Sequence, residues 1–231
     1  MKTLVLKLYG PMQSWGDNSR FTTRHTRNEP TKSGVLGLLA AAQGRRRSDP
    51  LEDLAELRFG VRVDQPGELV RDFQTAIDWR SGRSMPLSTR YYLADAVFVA
   101  AVEGPEPLID SLEDALESPG FPLYLGRRSC PANSDLVLGT SHRSLDEALR
   151  ETPWQARPWH RHQRPKTVHL PVFRDAVQEE RGDAQRDVPV SFDQTHRKYS
   201  WREVVTAEPV TQKNPAGGNH IDAFFEAVNS G

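Results

Sequence analysis

The stretch "TKSGVLGLLAAAQG", Thr31 to Gly44, reads as a helix. Thr31 or Ser33 supplies an N-cap oxygen for the first free amides, and Val35, Leu36, Leu38 and Leu39 form an apolar body. Gly34 and Gly37 admit close approach of another segment, and Gly44 suits the C-terminal stop. What lies on either side of this helix decides the fold. Upstream, "TLVLKLY" (Thr3–Tyr9) alternates and is β-rich, so it predicts a strand. Gly10-Pro11 ends that strand, and a polar, arginine-rich loop runs from Asp17 to Pro30.

Downstream, "LRFGVRVD" (Leu57–Asp64) and "ELVRDFQTAI" (Glu68–Ile77) predict a second and a third strand. "DWRSGRSMPLS" is an excursion, after which "TRYYLADAVFVAAVE" (Thr89–Glu103) resumes as one strand. The pair predicts a long projecting hairpin. "PEPLIDSLEDALESP" is an amphipathic helix with Leu108, Leu112 and Leu116 at fourfold spacing, and a strand near Leu136–Leu138 completes the series. The order is β-α-β-β-α-β, the split βαβ or ferredoxin-like pattern of an α+β protein. RNA-recognition modules share that architecture with many unrelated proteins, so the pattern alone assigns no function.

The expected division is a ferredoxin-like domain over residues 1–142, with a thumb hairpin at about 70–92, and a small β-containing C-terminal region over 143–208. That second region holds a short helix at Ser144–Arg150, a loop at Pro153–Lys166 and an exposed charged loop at Glu179–Asp187. Its strands fall at Thr167–Leu170, Val188–Phe192 and Trp201–Ala207. Residues 209–231 read as a flexible tail.

Of 231 residues, 37% are hydrophobic and 26% charged, which fits a globular chain able to bury its own core. The single cysteine, Cys130, excludes an internal disulfide and a cysteine-based zinc site and fits a reducing compartment. The apolar run in "MKTLVLKLYG" is interrupted by Lys7, so it reads as a strand and not a signal peptide. No run reaches membrane-spanning length, and the expectation is a cytoplasmic protein without membrane contact. Net charge is −1, but the charges are segregated. Arg20, Arg24, Arg27 and Lys32 gather around Glu29 alone, and Arg157, Arg161, Arg164 and Lys166 have no acid among them. Acids collect at Asp49–Glu56 and Glu103–Glu117. Such segregation makes either one basic face or ordinary solvated surface.

Several chemistries fail on spacing. In "TKSGVLG" the Lys and Ser precede the glycines, so no Walker loop is present, although the helix start with Lys32 and Ser33 is either a phosphate site or an ordinary cap. His160, His162 and His169 lack a completing carboxylate or cysteine, so no metal is expected. "RSCP" matches no nucleophile elbow. Aromatics beside basic groups remain: Trp15 next to Gln13 and Ser14, Arg90-Tyr91-Tyr92, and Trp154 and Trp159. Stacking planes interleaved with arginine suit single-stranded RNA. The residues alone leave an RNA binder and an unassigned α+β protein both open.

Five segments occur in order: "LKLYGPMQSWG", R-x-T-x-x-x-P-T-K-S-G-V-L-G-L-L, "RDFQTA", "YLGRRSCP" and "DVPVSFDQTHRKYSWREV". Together they resemble the Cas-five family subunit of the type I-E CRISPR Cascade complex. The resemblance implies the domain with a thumb described above and a role capping the 5′ handle of the guide crRNA. It implies contact with the large subunit CasA and the backbone subunit CasC, with CasB and CasE in the same complex and target DNA met only indirectly. RNA cutting would belong to CasE, so no catalytic residue and no cofactor are expected here. The RNA-binding residues implied are Gln13, Ser14, Trp15, Arg24, Lys32 and Ser33 at the first turn and helix. Gly126, Arg127, Arg128 and Cys130 join them from the loop, and Arg71, Arg90 and Tyr91 from the thumb. The alternative is a metal-independent endoribonuclease acting on repeat RNA, with His25 and Tyr91 or Lys32 as players.

Overall fold

The computed structural model describes residues 1–16, 19–20, 23–193 and 197–218. In chain order these form β1 (Lys2–Tyr9), β2 (Met12–Gln13), β3 (Ser19–Arg20), β4 (Thr23–Arg24), α1 (Lys32–Ala42) and α2 (Glu52–Ala55). Next come β5 (Arg58–Gln65), β6 (Glu68–Gln74), β7 (Ser88–Ala94), β8 (Val97–Gly104), α3 (Glu106–Glu117) and β9 (Val137–Ser141). The remainder is α4 (Leu145–Glu151), α5 (Pro158–His162), β10 (Thr167–Asp175), β11 (Asp183–Ser191) and β12 (Lys198–Lys213).

The fold is mixed α+β and its main sheet is antiparallel, in the order β11-β12-β10-β5-β8-β1-β9. The alternation in β1 sorts its side chains: Leu4, Leu6 and Leu8 enter a core shared with α1 and α3, whereas Val5 enters a second core with α4. β8 is buried on both faces along its whole length, as its unbroken apolar run requires. Thr31 caps α1, its hydroxyl accepting from the Gly34 amide at 3.2 Å. Ser144 caps α4 in a reciprocal capping box with Glu147.

A second, smaller sheet runs β2-β7-β4-β3, with β6 paired to β7 from Glu68↔Ala94 to Gln74↔Ser88. The single strand expected over Thr89–Glu103 is therefore two, because Asp95 adopts φ 55 and turns the chain from one sheet into the other. Gly67, at φ +72, makes the matching turn before β6, where a Cβ would lie 2.5 Å from the Ala94 carbonyl oxygen.

The C-terminal half departs from expectation in four places. β10 pairs with β5 through Val172↔Arg62, so the strands after residue 143 continue the first sheet. The charged segment expected as an exposed loop carries most of β11, and Asp187 in it is buried. Pro209 to Lys213, expected in the tail, belong to β12, and Val210 to Lys213 pair with β10; residues 219–231 lie outside the described residues. Within the expected loop at 153–166 the short helix α5 starts on Pro158, whose missing amide costs nothing in the first turn. Local composition showed the charge of these segments but not the long-range partners that pair it.

One such partnership fastens α4 and the following loop to β5. Arg62 is fully buried and uses all five donors: two on Asp64, two on the carbonyls of Leu149 and Thr152, and one on that of Pro153. Asp64 in turn accepts from the Gln155 amide at 2.6 Å. Removing one member strands a buried charge at a cost of about 3–5 kcal/mol. Asp64→Ala should lower the unfolding free energy in urea by about that amount, and the apolar pair R62M/D64L by clearly less. A wild-type urea midpoint for Asp64→Ala would contradict this account.

Candidate nucleic-acid interface

The loop Leu123–Pro131 folds back on itself through Leu125 N–H to the Cys130 carbonyl (2.7 Å), Cys130 N–H to that of Arg127 (2.8 Å) and Ala132 N–H to that of Leu123 (3.0 Å). Gly126 sits at φ +86, and a Cβ there would lie 1.8 Å from the Ser14 carbonyl oxygen. Only glycine lets this loop lie flat on the Gln13–Trp15 turn, where the Ser14 amide donates to the Leu125 carbonyl at 3.1 Å.

The turn itself is built from buried polar groups that satisfy one another. Gln13 donates to the Leu8 and Ala96 carbonyls at 3.2 and 2.8 Å and accepts from the Trp15 indole at 3.1 Å. Ser14 Oγ donates to the Tyr91 carbonyl at 3.2 Å. Trp15 is fully buried against α1, where a Cβ on Gly34 would come within 2.7 Å of its ring. Gln13, Ser14 and Trp15 thus join β1, β7 and α1, and the side chains of Gln13 and Trp15 are engaged inside the fold.

The helix start is likewise committed. The Lys32 amide donates to Asp187 at 2.8 Å and its ammonium to Asp175 at 3.0 Å. Arg202 bridges the same two carboxylates, reaching Asp187 at 2.6 and 2.9 Å and Asp175 at 2.6 Å. A carboxylate of the chain itself therefore sits where the positive helix end would receive a phosphate. Ser33 is buried beside Thr31, its hydroxyl 3.4 Å from that of the cap. Cys130 lies in the core, and burial pushes its thiol above the ordinary value.

The remaining expected residues stand nearer the surface. Arg24 and Arg128 are exposed, and Tyr91 is half-buried with its ring stacked on His25 at 5.3 Å and 6°. Arg127 donates to the carbonyls of Tyr91 and Arg24, both at 2.9 Å, and of His25 at 3.2 Å. On the thumb, Arg71 lies 4.7 Å over the Phe73 ring and Arg90 pairs across from Asp72. Gln13, Lys32, Arg71, Arg90, Tyr91, Arg128 and Cys130 do not line the cleft that gathers the others.

What does converge is a cleft of about 860 Å³ between α1, the loop from Phe121 to Arg127, and the residues Phe192, Arg197 and Tyr199. Ser14, Trp15, Arg24, Ser33, Gly126 and Arg127 line it. So do Arg45, Arg46 and Arg47 beyond α1 and Arg197 before β12, which makes six arginines and no carboxylate among the described residues. Phe121, Tyr124, Phe192 and Tyr199 add aromatic surface. Arginines on phosphates with aromatic planes for unpaired bases are the components of a single-stranded nucleic-acid site. Among the described residues, no group of three or more His, Cys, Asp or Glu side chains is placed to hold a metal ion.

The chain matches the model of the CRISPR-associated protein (Cas_Cas5) family over residues 3–205. It belongs to that family. It is 39% identical to "CRISPR system Cascade subunit CasD" of Escherichia coli (strain K12), over 61% of this chain and 72% of that protein. Among solved structures it resembles a chain of a "CRISPR RNA-guided surveillance complex", with TM-score 0.78, 34% identity and coverage of 99% of this chain and 98% of that one. It also resembles the chain of "Crystal structure of Cas protein", with TM-score 0.68, 37% identity and coverage of 93% and 95%.

In this Cas_Cas5 chain, sequence reasoning missed Arg45–Arg47 and Arg197. The signal for the first was in view as three consecutive arginines after the helix-stopping Gly44. Arg45 is held by Asp53, whose carboxyl it keeps below the ordinary value, while Arg46 and Arg47 are exposed. Arg197 carried no such signal, since only the pairing of β11 with β12 brings it to α1. The geometry of the loop predicts that Gly126→Ala will lower the melting temperature well below that of Gly82→Ala. Both sites have positive φ, but a Cβ on Gly82 meets nothing within 4 Å. Equal melting temperatures for the two variants would mean that the Ser14 contact does not constrain the loop.

Proposed function

We propose that this chain is the RNA-binding structural subunit of a CRISPR Cascade complex, and that it caps the 5′ handle of the guide crRNA. The observation that carries this is the cleft: six arginines and no carboxylate, with aromatic side chains between them, in a member of the Cas_Cas5 family. A handle with splayed bases needs charge along its backbone and flat apolar surface for its bases. Arg24, Arg46, Arg47, Arg128 and Arg197 supply the first. Tyr124, Phe121 and Tyr199 supply the second. Gly126 lets the loop hold its place beside them.

The scaffold we propose is a ferredoxin-like unit made of β1, α1, β5, β8, α3 and β9. The neighbour order β9-β1-β8-β5, with α1 and α3 in one core, supports it. The β6–β7 hairpin is the thumb, projecting about residues 70–92 toward the RNA, with Trp79 at its tip 83% exposed and Arg80 over that ring at 5.0 Å. The partners in this role are CasA and CasC, with CasB and CasE in the same assembly and target DNA engaged through guide pairing. The assembly in this role is cytoplasmic; among the described residues no helix is long and apolar enough to cross a membrane.

Binding without cutting is supported by what the endoribonuclease alternative would need. A general base must reach the 2′-OH with a cation at the phosphate. Here the Lys32 ammonium is buried on Asp175, and the His25 ring is laid flat on Tyr91. Incubation with repeat RNA in the absence of metal should leave the RNA intact, and specific cleavage would establish the alternative.

Affinity purification of the chain followed by sequencing of bound RNA should return short RNAs that share one 5′ end. Recovery free of RNA, or with scattered 5′ ends, would remove the proposed role. Within that role Arg46→Ala and Arg47→Ala should each weaken binding and lower the slope of log affinity against log salt by about 0.7 per lost phosphate contact. Unchanged slopes would exclude these two side chains from the RNA path.

A further inference from the structure

We propose that Arg127 is a positioning residue, and that of the adjacent pair Arg127–Arg128 only Arg128 meets the guide RNA. Arg127 clasps β4 to β7 and so sets the wall formed by Arg24, His25 and Tyr91. This rests on the RNA-binding role proposed above.

β4 has two residues and meets β7 at only two pairs, Thr23↔Thr89 and Arg24↔Arg90. So short a ladder holds little by itself. Arg127 bonds it from the loop side, one guanidinium nitrogen donating to the Tyr91 carbonyl and the other to those of Arg24 and His25. Bonds from an ionised donor of this kind are stronger than neutral ones. The plane of the guanidinium is also fixed from one face, with its carbon 4.8 Å over the Tyr92 ring, whose hydroxyl lies 3.4 Å from that of Ser129 in the same loop.

One cation therefore bonds the backbone carbonyls of both members of the His25–Tyr91 stack. That fixes the two rings relative to each other and ties the root of the hairpin to the loop at Gly126. With three of its five N–H donors spent on carbonyls and one face laid on a ring, the Arg127 guanidinium is held in place by the fold. Arg128 is exposed and has no partner among the described residues.

The two roles separate in a lysine substitution. A phosphate contact tolerates lysine, because a point charge suffices; a planar fork spanning three carbonyls does not. The experiment uses the full chain with a fluorescein-labelled single-stranded RNA of mixed sequence, titrated at several salt concentrations. In parallel, backbone hydrogen exchange is followed without RNA in peptides covering residues 23–27 and 88–93.

R127A and R127K should both speed exchange in those two peptides and weaken RNA binding by about tenfold, the loss expected for hydrogen bonds from a charged donor. The salt slope should stay at the wild-type value in both. R128A should leave exchange unchanged and lower the slope by about 0.7, and R128K should restore it. Wild-type affinity in R127K, or a lowered slope with unchanged exchange in R127A, overturns the clasp. If the wild-type chain binds no RNA in any salt, the role proposed above falls. The exchange measurement still decides the clasp, since unchanged exchange in R127A refutes it.

Discussion

The arrangement of the site depends on one buried charge cluster at the start of α1. Asp187, on β11, accepts the Lys32 amide at the positive end of the helix, and Arg202 on β12 ties Asp187 to Asp175 on β10. Asp175 also accepts the Phe59 amide at 2.9 Å, which brings β5 into the cluster. An anion at a helix start is favoured by the helix dipole and by the free amides there. Burying several charges together is tolerable only because each is paired and hydrogen-bonded. The outcome is that β11 and β12 stand against α1, and the side chains between them become the far wall of the cleft. Phe192 illustrates this, since a Cβ on Gly37 would meet its ring at 3.3 Å.

A division of labour follows along the site. The polar groups that sequence reasoning placed on RNA at Gln13 and Lys32 are satisfied internally, and a buried donor with a good partner has nothing to gain from a second one. They build the site by holding β1, β7, α1 and the loop at Gly126 in register. The groups left outward are arginines whose stems lie on the fold and whose heads reach solvent. A surface of that kind attracts a polyanion although the chain as a whole carries a net charge of −1. The acidic helix α3 contributes no residue to the cleft lining, so the two signs of charge occupy different places.

Much of the fold was legible because it rests on local patterns. Strand alternation in Thr3–Tyr9, the capped apolar helix from Thr31 and the fourfold leucine spacing in α3 each depend on a handful of neighbours. Gly126 was legible as a residue of close approach, although the partner, Ser14, was not. The misreadings share one cause. Asp187 looked like part of a solvated charged loop, and Pro209–Lys213 like a tail, because their stabilising partners lie far away in the chain. That Lys32 and Trp15 are buried was not visible either, because a buried lysine or tryptophan has the same letter as an exposed one. Arg46 and Arg47 went unremarked for the opposite reason, as a charge run usually marks solvated surface.

By itself the sequence determined the first strand, the capped helix α1, the amphipathic helix α3, the glycine-pivoted loop and the set of basic and aromatic residues that an RNA site could use. It did so because those features follow from periodicity, backbone freedom and side-chain chemistry within short stretches. Only the tertiary structure decided which cations remain free. That depends on which carboxylates and carbonyls reach each cation, and the contacts that settle it, from Asp187 to Lys32 and from Arg127 to Tyr91 and Arg24, span 155, 36 and 103 residues of chain.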